Sequence, residues 1–151
     1  MNNQCTCTSY EIKRYLNKLS KPILDRIDMF IGLNPVSYSK LNYNNNNESS
    51  ETIRKRVEKA RIVQRKRFKN DGIYCNAQMN IKLLNKYCKL DKETNCIMEK
   101  IYTKFNLSTR SYSRIIKVSR SIADLKENKK ICKEDIIEAL QYRRFIEKKI
   151  I

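Results

Sequence analysis

At 151 residues the chain is sized for one domain with one hydrophobic core, and 2 Gly, 2 Pro and no Trp argue against a turn-rich all-β fold and for helices. A formal net charge of +17 calls for an acidic partner (nucleic acid, nucleotide or an anionic surface) or else for a solvated basic face, and charge alone does not separate these. No histidine occurs, which excludes Ser-His-Asp and Cys-His catalysis and any His-liganded metal.

Charge is uneven along the chain. Residues 1–48 carry 6 basic and 4 acidic side chains, whereas residues 49–151 carry 27 and 12. The break falls at Asn44–Asn47, a polar run with nothing to pack, which reads as a loop. It divides the chain into a segment over 1–47 and a basic domain over 48–151.

In the first segment, Ser9 to Leu19 is expected to form a short helix, and Pro22 then resets the chain. Ile27 to Leu33 is short, β-prone and bounded by Pro35, so it reads as a strand. One strand cannot satisfy its own backbone groups, so this one requires a sheet that the chain does not encode. Residues 1–47 are accordingly expected to be the least ordered part of the chain.

Helices follow. Ser50 is placed to cap one running to about Phe68, with Ile53, Val57, Ala60 and Val63 at helical spacing. Residues 51–69 of this helix hold nine Lys or Arg and two Glu, which suits either a phosphate backbone or a solvated outer face. The connection from Lys69 to Met79 is long and is read mainly as a spanning loop. Asn80 caps a short helix carrying Ile81, Leu84, Tyr87 and Cys88. Asp91 caps the next, carrying Ile97, Met98, Ile101, Tyr102 and Phe105. Ser108 opens a long helix to about Leu125, and a last helix runs from Lys133 to about Ile146 with Ile136, Ile137 and Leu140 inward.

The helix from Ser108 is the informative one. At about 100° per residue, Tyr112, Ile115, Ile116, Ser119, Ile122 and Ala123 form one stripe. Arg110, Arg114, Lys117 and Ser121 line the opposite side. Arg110 lies in the first turn, where the positive end of the helix dipole disfavours a cation unless an anion docks there. Spacing leaves both an anion site and a solvated basic ridge open.

The six cysteines stand at 5, 7, 75, 88, 96 and 132. The N-terminus is polar, and no run nears the roughly 20 apolar residues of a membrane span. A reducing cytoplasm with free thiols is expected, with no membrane partner. Cys75, Cys88, Cys96 and Cys132 are expected to fill core or half-buried positions.

Several blocks in order and register carry a resemblance over nearly the whole chain. They are Cys5-Thr6-Cys7, Ser20 through Asp28, Ser49-Ser50-Glu51, Asn76-Ala77-Gln78-Met79 and Tyr87 through Asp91. Leu107 through Tyr112, Arg114 through Leu125 and Glu138 through Arg143 complete the set. Together they resemble the C-terminal end of magnesium-chelatase-like AAA+ ATPases of the competence type. The resemblance implies a mainly α fold: a helical lid bundle preceded by an orphaned edge of the α/β ATPase core containing one β-strand.

It further implies that Arg26 is an arginine finger reaching a neighbouring subunit's ATP, against the plainer reading of a surface ion pair with Asp25 or Asp28. Arg110 matches the sensor-2 arginine that contacts ATP from the lid of the same chain. Arg114 and Lys117 share its ridge. In a complete ATPase the resemblance implies ATP and Mg²⁺ as cofactors, a homo-oligomeric ring of hexamer type, and work on DNA in competence and recombination.

The departures bear on activity. No G-x-x-x-x-G-K-[ST] and no paired-acid Mg²⁺ strand occur, so this chain by itself is expected not to hydrolyse ATP and to need the ATPase core as partner. Lys21 stands where the family usually has Gly. Cys5 and Cys7 resemble half of a cysteine cluster whose upstream pair is missing, and no metal site is expected from two thiols one residue apart. A stand-alone basic nucleic-acid-binding module is the rival reading. A tetrapyrrole chelatase subunit fits the Asn76–Met79 and Gln141-Tyr142-Arg143 blocks less well.

Overall fold

The computed structural model describes residues 6–38 and 47–150, with backbone alone at Lys21 and 144–150. Cys5 and most of the Asn-rich loop, Asn44 to Asn46, lie outside the described residues. The described chain is helical: α1 (Ser9–Leu16), α2 (Lys21–Leu24), α3 (Ser50–Arg67), a 3₁₀ turn (Asn76–Gln78), α4 (Ile81–Tyr87), α5 (Lys92–Lys104), α6 (Thr109–Leu125) and α7 (Lys133–Ile150).

Capping side chains set the helix starts. Thr8 and Glu11 form a reciprocal capping box on α1. Ser49, Asn80, Asp91 and Ser108 each accept the backbone N–H three residues on, from Thr52, Leu83, Thr94 and Ser111, at the starts of α3, α4, α5 and α6 respectively. The cap of α3 is therefore Ser49, one residue before the position expected. Helix α5 ends with Asn106 at φ 45°, and the Leu107 N–H reaches back to the Tyr102 carbonyl at 3.1 Å. Asn tolerates this left-handed turn, which buries Leu107 and starts α6 at once.

Helix α6 is central: α3, the 3₁₀ turn, α4 and α7 all pack on it, while α5 closes against α7. Its stripe is the core, with Ile115, Ile116, Ser119 and Ala123 fully buried and Ile122 nearly so. Phe68, Met79, Leu84, Met98, Ile131, Ile136 and Leu140 complete the interior. The stripe read from the sequence thus faces inward as expected. Ile137 does not: it is 46% exposed, because α7 turns Ile136, Ala139, Leu140 and Arg143 inward. On α3, Ala60 and Gln64 are buried whereas Ile53, Val57 and Val63 remain exposed.

A buried polar cluster fixes how α3, the 3₁₀ turn and α6 meet. Asp124 accepts two hydrogen bonds from the Arg67 guanidinium, one from Asn76 Nδ2 at 2.8 Å and one from Arg120 Nε at 3.1 Å. Arg120 also donates to the carbonyls of Lys129 and Asn128, tying down the turn into α7. Burial pushes the Asp124 carboxyl up, but the hydrogen bonds from Arg67 and Asn76 and the Arg120 charge outweigh it and hold it below the usual carboxylate value. The Lys69–Met79 connection is therefore more than a spanning loop: Asn76 is buried in the cluster and Met79 in the core.

The segment before α3 is different. No side chain of α1 is buried, whereas Leu24 is. Ile27 to Leu33 is not a strand, which corrects that expectation: the described residues offer it no sheet, and among its backbone groups Phe30 N–H pairs with the Tyr142 carbonyl of α7 at 2.8 Å. Among the described residues no helix is long and apolar enough to cross a membrane.

Two outcomes follow from this packing. Asp124→Asn leaves the buried Arg120 and the half-buried Arg67 without their anion and should cost about 3–5 kcal/mol in urea unfolding. Because Asp124's carboxyl is depressed in the fold, its contribution is present above about pH 4 and fades as pH falls further, so the Asn variant should lack that acid-side step. Second, burial raises the Cys88 thiol to about 11. Alkylation at pH 8 should label the exposed Cys7, Cys96 and Cys132 and spare Cys88 until the chain is denatured. The exposure of Cys96 and Cys132 departs from the core or half-buried positions expected for them.

Candidate functional site

The N-terminal half of α6 forms the floor of an open cleft of about 410 Å³. Thr109, Arg110, Ser113, Arg114 and Lys117 line it from α6, Ala77 and Ile81 from the 3₁₀ turn and α4, and Asp28 from the N-terminal segment. The three basic residues singled out on the sequence therefore share one wall, because they lie on one helical face opposite the buried stripe.

Their surroundings differ. Arg110 is exposed in the first turn of α6. Arg114 is mostly covered and pairs with Asp28, and its Nε is buried with no hydrogen-bond partner. Lys117 Nζ donates to the Ala77 carbonyl at 3.0 Å. Three cations on one face near the positive end of a long helix, with Arg110 exposed, fit the phosphate oxygens of a nucleotide. Asp28 is the one carboxylate in the lining, so a magnesium ion would take its ligands mainly from protein other than these residues.

Arg26 lies outside this lining. It is exposed just after α2, and its Nη1 donates to the Pro22 carbonyl at 3.3 Å. The neighbouring carboxylates are engaged elsewhere: Asp28 by Arg114, and Asp25 by Ser108, Ser111 and Arg143. A plain ion pair of Arg26 with either is thus not what the structure contains. Of the sequence-selected residues, Arg110, Arg114 and Lys117 come together and Arg26 stands apart.

Sequence reasoning missed Asp28 as the partner of Arg114, and Arg143 altogether. Arg143 is nearly buried on α7 and donates to the Ile27 carbonyl at 2.9 Å and to Ser111 Oγ at 3.3 Å. Both residues lie in blocks that carried the family resemblance, but nothing in spacing says that a block near residue 28 touches one near residue 143.

A basic helical bundle whose central helix opens on a cationic cleft, preceded by a short segment docked against it, is the architecture on the page. Residues 47–143 match the family described as magnesium chelatase, subunit ChlI C-terminal, and residues 1–41 match magnesium chelatase, subunit ChlI. The chain belongs to the magnesium-chelatase family, an AAA+ ATPase-like group, and covers its C-terminal part. It is similar to the competence protein ComM of Haemophilus influenzae, 39% identical over 137 residues, which covers 90% of this chain and 26% of that protein. It is likewise similar to the uncharacterized protein YifB of Escherichia coli, 35% identical over 144 residues covering 93% of this chain and 27% of that one. A more distant relative, the uncharacterized protein Rv2897c of Mycobacterium tuberculosis, is 27% identical over 140 residues. The chain spans about a quarter of the length of the relatives it matches.

The α6 N-cap carries the cleft wall. Ser108→Ala removes the side-chain acceptor for Ser111 N–H and should lower stability by about 1 kcal/mol in thermal or urea unfolding.

Proposed function

We propose that the chain is the lid portion of a magnesium-chelatase-like ATPase, in which Arg110 reads the nucleotide as sensor 2 and Arg26 serves as arginine finger to a neighbouring subunit. The cleft at the start of α6 carries this reading: Arg110, Arg114 and Lys117 share one wall of it, and Arg110 is exposed in the first turn of the helix. ATP with Mg²⁺ is the cofactor, held chiefly by an ATPase core of the same family. The working assembly is a homo-oligomeric ring, of hexamer type, in the cytoplasm. Its substrate is DNA, in the competence role that the name of the Haemophilus relative states for that protein. Support for an acidic polymer comes from the +17 charge and from the outer face of α3, where Arg54, Lys55, Arg56, Lys59, Arg61, Arg65 and Lys66 are all exposed.

The test supplies an ATPase core. The 151-residue chain is mixed with the Haemophilus relative lacking its matching C-terminal segment, and ATP turnover is measured. Turnover should be negligible for either piece and recover on mixing. Arg110→Ala should then lower it about a hundredfold, and Arg26→Ala about a thousandfold. Unaided turnover by the chain, or variants that leave recovered turnover unchanged, would overturn the reading. Tight, steeply salt-dependent DNA binding by the chain alone, without recovery on mixing, would favour a stand-alone nucleic-acid-binding module instead.

A further inference from the structure

The residues on either side of Arg26 are fastened to the bundle. Asp25 accepts hydrogen bonds from Ser111 Oγ at 3.1 Å, in the first turn of α6, and from Ser108 Oγ at 3.3 Å, its N-cap. Arg143 of α7 lies 3.8 Å from the same carboxylate and donates to the Ile27 carbonyl at 2.9 Å. Asp28 pairs with Arg114, one turn along α6 from Arg110. Phe30 N–H closes the set on the Tyr142 carbonyl at 2.8 Å. Beyond Phe30 the chain leaves the surface, with Ile31, Leu33 and Val36 exposed. Arg26 itself is exposed between these anchors, with its Nη1 on the Pro22 carbonyl.

From this geometry we infer that Asp25, Asp28 and Arg143 are positioning residues that strap the Arg26 segment onto the α6–α7 pair, so that Arg26 is aimed by the lid of its own chain. The inference rests on the nucleotide role given to Arg110 and Arg26 above. Its physical content is separate. The contacts come from two helices and from both sides of Arg26, so residues 25–30 cannot shift relative to Arg110 without breaking charge-assisted hydrogen bonds. Arg143 is nearly buried, and withdrawing the segment would break its bond to the Ile27 carbonyl and its ion pair with Asp25. A movement of α6 on nucleotide binding therefore carries Arg26 with it, which couples the site on one subunit to the finger offered to the next.

Hydrogen exchange on the full 151-residue chain tests the strap without ATP. The Phe30 amide should be protected. Arg143→Lys should speed its exchange at least tenfold and Asp28→Asn by a smaller factor, with the amides of Ile115 to Ile122 unchanged. If Arg143→Lys also opens α6, the exposed Asp28 position decides the matter alone. A Phe30 amide exchanging at the rate of an unstructured chain, or one indifferent to Asp28→Asn, would overturn the inference. With the ATPase portion supplied, Arg143→Lys should lower kcat and leave KM for ATP unchanged, because Arg143 lies outside the cleft lining, whereas Arg110→Ala should raise KM. A raised KM for Arg143→Lys would mean that Arg143 acts on the nucleotide cleft and not through Arg26, and the coupling would fall. Silence of both Arg26→Ala and Arg110→Ala would remove the lid reading instead, with the exchange result still deciding whether the strap exists.

Discussion

One carboxylate, Asp124, determines how the bundle is put together. It lies near the end of α6 with essentially no solvent exposure, between Arg67 of α3 and Arg120 of its own helix, and Asn76 fills its remaining acceptor position. A buried carboxylate with fewer partners would be costly, and so would either guanidinium without it. The cluster is satisfied in one arrangement only: α3 ending against α6, and the Asn76 turn folded over both. That arrangement sets the rotation of α6 about its axis.

The rotation has a functional consequence. With Ile115, Ile116, Ser119 and Ala123 held inward and Asp124 fixed at the far end, Arg110, Arg114 and Lys117 must face out. The Asn106–Leu107 turn begins α6 immediately after α5, and Ser108 caps it, so the positive end of the helix opens into the cleft and not into the core. The cationic wall is thus a by-product of core packing, a face left over once the apolar stripe is buried. The same packing brings α7 alongside α6, which allows Arg143 to reach the segment around Ile27.

The segment over 1–47 illustrates a different constraint. Its α1 buries nothing against the described bundle, yet Leu24 is buried and residues 25–30 are held by polar contacts. Among the described residues α1 leaves Tyr10, Ile12 and Tyr15 exposed, so a helix that is not anchored precedes a stretch that is.

Much was legible in the sequence because it depends on local chemistry. Caps at Asn80, Asp91 and Ser108, the α6 stripe and the opposing ridge of Arg110, Arg114 and Lys117 follow from side-chain reach and helical period, which need no knowledge of the rest of the fold. Where burial depends on neighbours, the pattern alone failed. Ile53, Val57 and Ile137 are apolar at helical spacing yet exposed, and Ile27–Leu33 is β-prone yet not a strand, because a period specifies a face and not what covers it. The pairings Asp124–Arg67, Asp28–Arg114 and Arg143–Ile27 join residues far apart in the chain, so only the tertiary structure could decide them: electrostatic partners are chosen by proximity in space, and no spacing along the chain encodes that.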